Sequence, residues 1–215
     1  MLNFNAANPV EIFLTVLAFL VILSLVITIH EAAHAFSANF LGDPTARLSG
    51  RMSLNPIVHI DPLGTLVLPL LLLVFQGPIF GWAKPTPVNP INFQNPRRDS
   101  ALVAFSGPLS NFALATIFSV IFRLFPDTGF FSQFLFTLVS INLLLGVFNL
   151  IPIPPLDGYK VLIGILPKEL ALRLAVLDSM GPIFLLFFIL IFFSFLSPFI
   201  FSILRFLLLI FTGTS

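Results

Sequence analysis

Five consecutive residues near the N-terminus, His30-Glu31-Ala32-Ala33-His34, contain the side chains best suited to chemistry. On an α-helix, residues four positions apart lie on one face, so both imidazoles would point in the same direction. Two histidine nitrogens placed in this way can bind one Zn²⁺ at about 2 Å. Glu31 would lie beside that face, where its carboxylate can take a proton from an activated water. The motif predicts a metal-dependent hydrolytic site with one zinc ion per chain.

A catalytic zinc site usually has three protein ligands, so the two histidines need one more. His59 and Asp61 are candidates from a loop, and Asp157 is a candidate from a proline-rich run at the end of an apolar stretch. Three prolines in residues 152–155 break a helix there, and Gly158 permits a backbone turn. We favour Asp157 as the third ligand. The alternative is that Asp157 only caps the helix that follows.

The segments that must position these residues are strongly apolar. Hydrophobic residues make up 58% of the 215-residue chain and charged residues 9%, whereas a soluble domain has roughly 25% charged residues. Residues 12–29, with a helix continuing to residue 40, residues 101–122 and residues 130–151 each predict a membrane span. Residues 182–211 predict one kinked membrane helix or two short ones. The fold class is therefore an all-α membrane protein, a multi-span helical bundle.

Residues 63–75 are also apolar, but they are too few to span a bilayer as a helix and include Pro69. We interpret them as a short re-entrant segment, with β-strands as an alternative. The proline-rich stretch 83–96 is expected to be an extended loop. We expect one integral-membrane peptidase domain over residues 1–215, with a catalytic core at about 10–165.

Basic residues predict the orientation of the spans. With the N-terminus outside, eight of them fall on the inner side: Arg47, Arg51, Lys84, Arg97, Arg98, Lys160, Lys168 and Arg173. Only Arg123 falls on the outer side, and Arg205 lies within the last apolar stretch. This bias predicts a multi-pass protein of the cell membrane with its active site toward the cytoplasm.

Three motifs together resemble the site-2 protease family of intramembrane zinc metallopeptidases, in its short prokaryotic form. They are HEAAH at 30–34, GPLSN at 107–111 and PIPPLDG at 152–158. The resemblance implies a three-helix catalytic core, zinc on the two histidines and Asp157, and Glu31 as general base. It also implies cleavage of a transmembrane segment of another protein, with Asn149 holding the substrate backbone. This sequence departs from many members in having Tyr159 after Gly158.

Other interpretations remain open from the sequence. Asn111 is a candidate for substrate or oxyanion contact, and an interhelical hydrogen bond is the alternative. A metal-ion transporter or a proteolytically inactive membrane scaffold would also retain the histidine pair. The net charge of +1 gives no indication of nucleic-acid binding. The expected partners are the lipid bilayer and a transmembrane protein or peptide substrate.

Overall fold

The computed structural model describes residues 8–68, 70–71, 83–125, 129–178 and 195–213. The α-helices in these residues are α1 (Pro9–Phe40), α2 (Thr45–Leu48), α3 (Pro96–Leu124), α4 (Phe130–Asn149), α5 (Asp157–Ile165), α6 (Lys168–Asp178) and α7 (Ser197–Thr212). No residue that the structure describes lies in a strand. The prediction of an all-helical chain is confirmed.

Among the residues that the structure describes, three helices are long and apolar enough to cross a membrane. They are Leu14–Phe40 of α1, all of α3 and all of α4. At 1.5 Å per residue their lengths are about 30–44 Å, against a hydrocarbon core of about 30 Å. The first three predicted spans are confirmed. The predicted segment 182–211 lies partly outside the described residues, and α7 is the part that can be described.

Pairs of Asn or Asp followed by proline start several helical segments. In each pair the polar side chain accepts the backbone N–H two positions later, while proline occupies a first-turn position where a missing N–H costs little. These pairs are Asn8-Pro9, Asn55-Pro56, Asp61-Pro62 and Asn89-Pro90. The first starts α1, and the others start the short turns Pro56–Val58, Pro62–Val67 and Pro90–Asn92.

The Asp61 pair corrects the β-strand alternative for the predicted re-entrant segment. The Asp61 carboxylate accepts the N–H groups of Leu63 and Gly64 at 3.0 and 2.8 Å. Pro62–Val67 consequently forms a π-helical turn, and residues 68, 70 and 71 are helical. Strands are therefore wrong for the described part of this segment, while residues 69 and 72–75 lie outside it.

Helix α3 packs against α1, α4, α5 and α7, and it is the central element of the described bundle. Helices α1 and α3 both bury small residues, which permit close backbone approach between membrane helices. The small buried residues are Ala32, Ala35 and Ala38 of α1 and Ala104 and Gly107 of α3. Many large apolar side chains elsewhere on these helices are exposed, as expected of a surface in contact with lipid.

Residues 83–95, called here the proline segment, connect to the start of α3. Residues 83–89 have no regular secondary structure, so the predicted extended loop is confirmed there. Phe93 is buried against Ala38 and Val103. Asp43, just after α1, accepts the Asn89 N–H at 2.7 Å and the Asn92 side-chain amide at 2.6 Å. The segment is thereby attached to the end of α1 that carries the HEAAH motif.

Candidate metal centre

The two motif histidines lie one helical turn apart on the buried face of α1. His30 is 4% exposed and His34 is 7% exposed. Their rings meet edge to face, with centroids 4.7 Å apart. The Nε2 atoms are 3.1 Å apart, so both rings present the same nitrogen to one point. This is the shared face that the spacing of the motif predicts.

The Asp157 carboxylate completes a triangle with these nitrogens. Its Oδ2 lies 3.1 Å from His30 Nε2 and 3.2 Å from His34 Nε2. Ligand atoms about 2.0–2.1 Å from a tetrahedral Zn²⁺ would lie about 3.3 Å apart, so the three atoms have nearly the separation that zinc requires. Within the described part of the chain, these three residues form the group that could hold a metal ion.

Hydrogen bonds behind the rings determine which ring nitrogens carry protons. His30 Nδ1–H donates to Asn111 Oδ1 at 2.6 Å, and His34 Nδ1–H donates to the Val103 carbonyl at 2.7 Å. In neutral imidazoles both Nε2 atoms then carry lone pairs. Two lone pairs and a carboxylate oxygen within about 3 Å repel one another unless a cation lies between them. The donor set therefore fits a zinc ion.

Asn111 is fully buried and belongs to a chain of hydrogen bonds between helices. Its amide nitrogen donates to Asn142 Oδ1 of α4 at 3.2 Å. The Asn142 amide nitrogen in turn donates to the Leu138 carbonyl at 2.8 Å. Asn111 thus makes the interhelical hydrogen bond that was the alternative to substrate contact. This series of hydrogen bonds links His30 to α4.

Asp157 begins α5 but does not cap it. The N-cap of α5 is Leu156, and no side chain accepts a hydrogen bond at that cap. Its carboxylate instead faces the two histidines, with Oδ2 3.1 and 3.2 Å from their Nε2 atoms.

Two glycines allow the backbone to approach closely at this centre. A Cβ atom on Gly107 would lie 2.5 Å from Cε1 and Nε2 of His34 and 2.7 Å from Cε1 of His30. A Cβ atom on Gly158 would lie 2.2 Å from the Leu150 carbonyl oxygen. Gly158 is helical and has no positive φ. The expectation that Gly158 is needed for a backbone turn is therefore wrong. The requirement at both positions is space.

Glu31 is half-buried and contacts the proline segment. The Thr86 N–H donates to Glu31 Oε2 at 2.8 Å. The Thr86 hydroxyl donates to the main-chain carbonyl of Glu31 at 3.0 Å. The carboxylate next to the two motif histidines is therefore held by a residue 55 positions later in the chain.

The remaining candidate residues make hydrogen bonds to groups other than His30, His34 and Asp157. Asn149 donates its amide to the Leu145 carbonyl of its own helix at 3.0 Å. His59 is buried, with Nε2 2.9 Å from the Ser53 carbonyl, and Asp61 caps a turn. The contacts of Thr86 were not predicted, and nothing in the sequence around Thr86 indicates its partner.

Comparison with known proteins relates this chain to metallopeptidases. Residues 125–188, which include Asp157, match the model of peptidase family M50. A protein of Bacillus subtilis named "Putative zinc metalloprotease YwhC" is 39% identical over 178 residues, covering 78% of this chain and 78% of that protein.

Two further relatives are both named "Putative zinc metalloprotease Rip2". The Mycolicibacterium smegmatis protein is 33% identical over 62% of this chain and 51% of its own length. The Mycobacterium tuberculosis protein is 32% identical over 74% of this chain and 61% of its own length. No solved structure matches the chain. Together with the three apolar helices and the His30, His34 and Asp157 group, these similarities show that the chain is a membrane metalloprotease belonging to peptidase family M50, the family of the site-2 proteases.

Proposed function

We propose that this protein is a zinc-dependent intramembrane endopeptidase that cleaves transmembrane segments of other membrane proteins. The observation that carries the proposal is the convergence of His30 Nε2, His34 Nε2 and Asp157 Oδ2 within 3.2 Å of one another. The histidines lie 16 to 20 residues beyond Leu14, where the first candidate span begins. At 1.5 Å per residue this is about 24–30 Å from the start of the span, close to the far side of a hydrocarbon core about 30 Å thick.

The proposed chemistry divides between the metal and the chain. Bound zinc supplies a Lewis acid that polarises a peptide carbonyl and acidifies water. Glu31 takes the proton from the attacking water and returns it to the leaving amine. Asn111 and the Val103 carbonyl keep the histidine Nε2 atoms directed at the metal position. Asn149 is proposed to hold the substrate backbone.

The position within the membrane sets the substrate class. A helix conceals its peptide bonds, so a transmembrane substrate must unwind locally before it can be cleaved. A site near the end of a span is within reach of water, which hydrolysis needs. We therefore propose that residues 1–215 form one peptidase domain in the cell membrane, with the N-terminus outside and the site toward the cytoplasm.

The test uses the purified chain in detergent with a set of fluorescently tagged single-pass test segments. Cleavage should stop on zinc chelation, return on zinc addition, and be absent in Glu31→Gln although that variant binds zinc. Absence of cleavage of every segment by zinc-loaded protein would contradict the proposal and favour a scaffold. Zinc transport by the protein in liposomes, without cleavage, would instead favour a transporter.

The proposed orientation is tested separately with cysteines, since the natural chain has none. Single cysteines at positions 3 and 94 should react with an impermeant reagent from opposite sides of the membrane. Reaction of both from the same side would contradict the proposed orientation.

A further inference from the structure

Thr86 makes two hydrogen bonds to Glu31 from the middle of the proline segment. One joins its backbone N–H to the carboxylate, and the other joins its hydroxyl to the Glu31 main-chain carbonyl. Pro85 and Pro87 lack N–H groups, so Thr86 is the sole backbone donor among these three residues. Both prolines also restrict φ, which limits the directions in which the Thr86 N–H can point.

Contacts on both sides of Thr86 hold this part of the segment in place. On the N-terminal side, the Lys84 N–H donates to the His59 carbonyl at 3.0 Å. On the C-terminal side, Asn89 N–H donates to Asp43 Oδ2 at 2.7 Å. Phe93 is buried against α1 and α3. Thr86 is therefore presented to Glu31 by a segment that is attached to the bundle independently of Glu31.

We propose that Thr86 is a positioning residue for the catalytic carboxylate. A hydrogen bond to one carboxylate oxygen restricts rotation of the Glu31 side chain and leaves the second oxygen for proton transfer. The hydroxyl bond to the Glu31 carbonyl keeps Thr86 in register with that residue. This inference rests on the proposed function, because it assigns Thr86 a role in orienting the general base.

A purely structural tie would give a different result. If Thr86 only attached the proline segment to α1, its loss would lower the stability of the protein. Loss of another attachment of the segment would then have an equal effect. If Thr86 orients Glu31, its loss would lower kcat and leave zinc content and KM nearly unchanged. Loss of another anchor of the same segment would then lower kcat less than loss of Thr86 does.

The kinetic test compares three variants of Thr86 on a test segment that the natural chain cleaves. Thr86→Pro removes the N–H and should lower kcat about 10- to 100-fold, as expected for a hydrogen bond to a charged group. Thr86→Val removes only the hydroxyl and should lower kcat about 2- to 12-fold. Thr86→Ser keeps both donors and should restore kcat to within about twofold of the natural value.

Two control variants separate positioning from attachment. Lys84→Pro removes the neighbouring anchor to His59 but leaves both donor groups of Thr86 present. Thr116→Val removes a hydroxyl that donates to the Phe112 carbonyl on the exposed side of α3. Thr116→Val should retain kcat, and Lys84→Pro should lower kcat less than Thr86→Pro does, because the contacts of Asn89 and Phe93 still hold the segment. An equal loss of kcat in Lys84→Pro and Thr86→Pro, or full kcat in Thr86→Pro, would overturn the proposal.

Hydrogen exchange tests the contact without any activity measurement. Zinc-loaded Glu31→Ala should take up deuterium faster in peptides that contain Thr86, because the amide has lost its acceptor. The measurement is local because Pro85 and Pro87 contribute no amide hydrogens. Glu169→Ala, at an exposed position on α6, is the matched control and should leave that uptake unchanged. Unchanged uptake in Glu31→Ala would overturn the proposal even if Thr86→Pro failed to fold.

The two proposals can fail separately. If the natural chain cleaves no test segment, the proposed function fails. If it cleaves a segment and Glu31→Gln does not, while the Thr86 variants match the natural chain in kcat, only the positioning role fails.

Discussion

The metal centre and the proline segment are held by different kinds of contact. At the metal centre, side chains of α1, α3 and the start of α5 meet, and a hydrogen bond to Asn111 supports His30 while one to the Val103 carbonyl supports His34. The proline segment has no regular backbone hydrogen bonding over residues 83–89, and separate contacts to Glu31 and Asp43 hold it. Changes in the first region should therefore alter zinc affinity, whereas changes in the second should alter rate or stability.

The largest effect on zinc affinity is expected from Asp157→Ala, because it removes one of the three proposed ligands. Loss of an outer-shell partner typically costs about 10- to 100-fold in metal affinity, and loss of a ligand should exceed that range. Competitive chelator titration of the purified protein would measure it. His59→Ala is the control and should retain natural affinity, since His59 contacts Ser53 instead. The opposite pattern would transfer the ligand role to His59.

A smaller loss is expected from Gly107→Ala. The added Cβ would overlap the two imidazole rings and must displace one of them, so zinc affinity should fall about 10- to 100-fold. Gly146→Ala is the matched control in α4, because its Cβ would meet the ring edge of Phe112 at 3.1 Å and Asn111 Cβ at an ordinary contact distance of 3.5 Å, and neither histidine. Equal zinc affinity in the two variants would show that the approach of Gly107 to the ligands is unimportant.

Asn142→Leu should have a modest effect on the same measurement. It leaves the buried Asn111 amide nitrogen without its acceptor, while the Asn111 bond to His30 remains. Zinc affinity should fall about 2- to 12-fold, the equivalent of one neutral hydrogen bond. Asn111→Leu should cost more, because it removes the partner of a ligand directly. An effect of Asn142→Leu as large as that of Asn111→Leu would contradict this order.

No change in zinc affinity is expected from Asp43→Asn, which alters an anchor of the proline segment. Burial alone would raise the pKa of Asp43, but bonds from Thr45, Asn92 and Asn89 lower it below its ordinary value of 3.8. Its ionised form therefore stabilises the fold fully above pH 3.8, and this stabilisation is lost as the pH falls through the lower folded-state pKa. Asp43→Asn should lower stability by about 1–3 kcal/mol at pH 7.

Thermal unfolding in detergent between pH 7 and pH 3 would measure the Asp43 effect. The natural chain should lose more stability on acidification than the variant does. Glu169→Gln at an exposed site is the control and should follow the natural chain. An identical pH dependence in Asp43→Asn and the natural chain would exclude Asp43 as the source.

Local patterns predicted much of this structure for clear physical reasons. Long apolar runs require helices in lipid, because backbone groups there must bond within their own segment. The i, i+4 spacing of His30 and His34 places both rings on one face whatever surrounds the helix. The proline run before Asp157 ends α4 near residue 149. The strand alternative for residues 63–75 is wrong in its described part, because Asp61 caps a helical turn there.

Tertiary packing decided the contacts between residues that are distant in the chain. The sequence left Asp157, His59 and Asp61 open as ligands on spacing alone, and packing of the helices places Asp157 beside the histidines while His59 and Asp61 face other groups. The bond from His34 goes to the main-chain carbonyl of Val103, a group that every residue possesses and that therefore leaves no mark in a sequence. Helical periodicity is local and can be read along the chain, whereas these contacts depend on how separate segments meet in space.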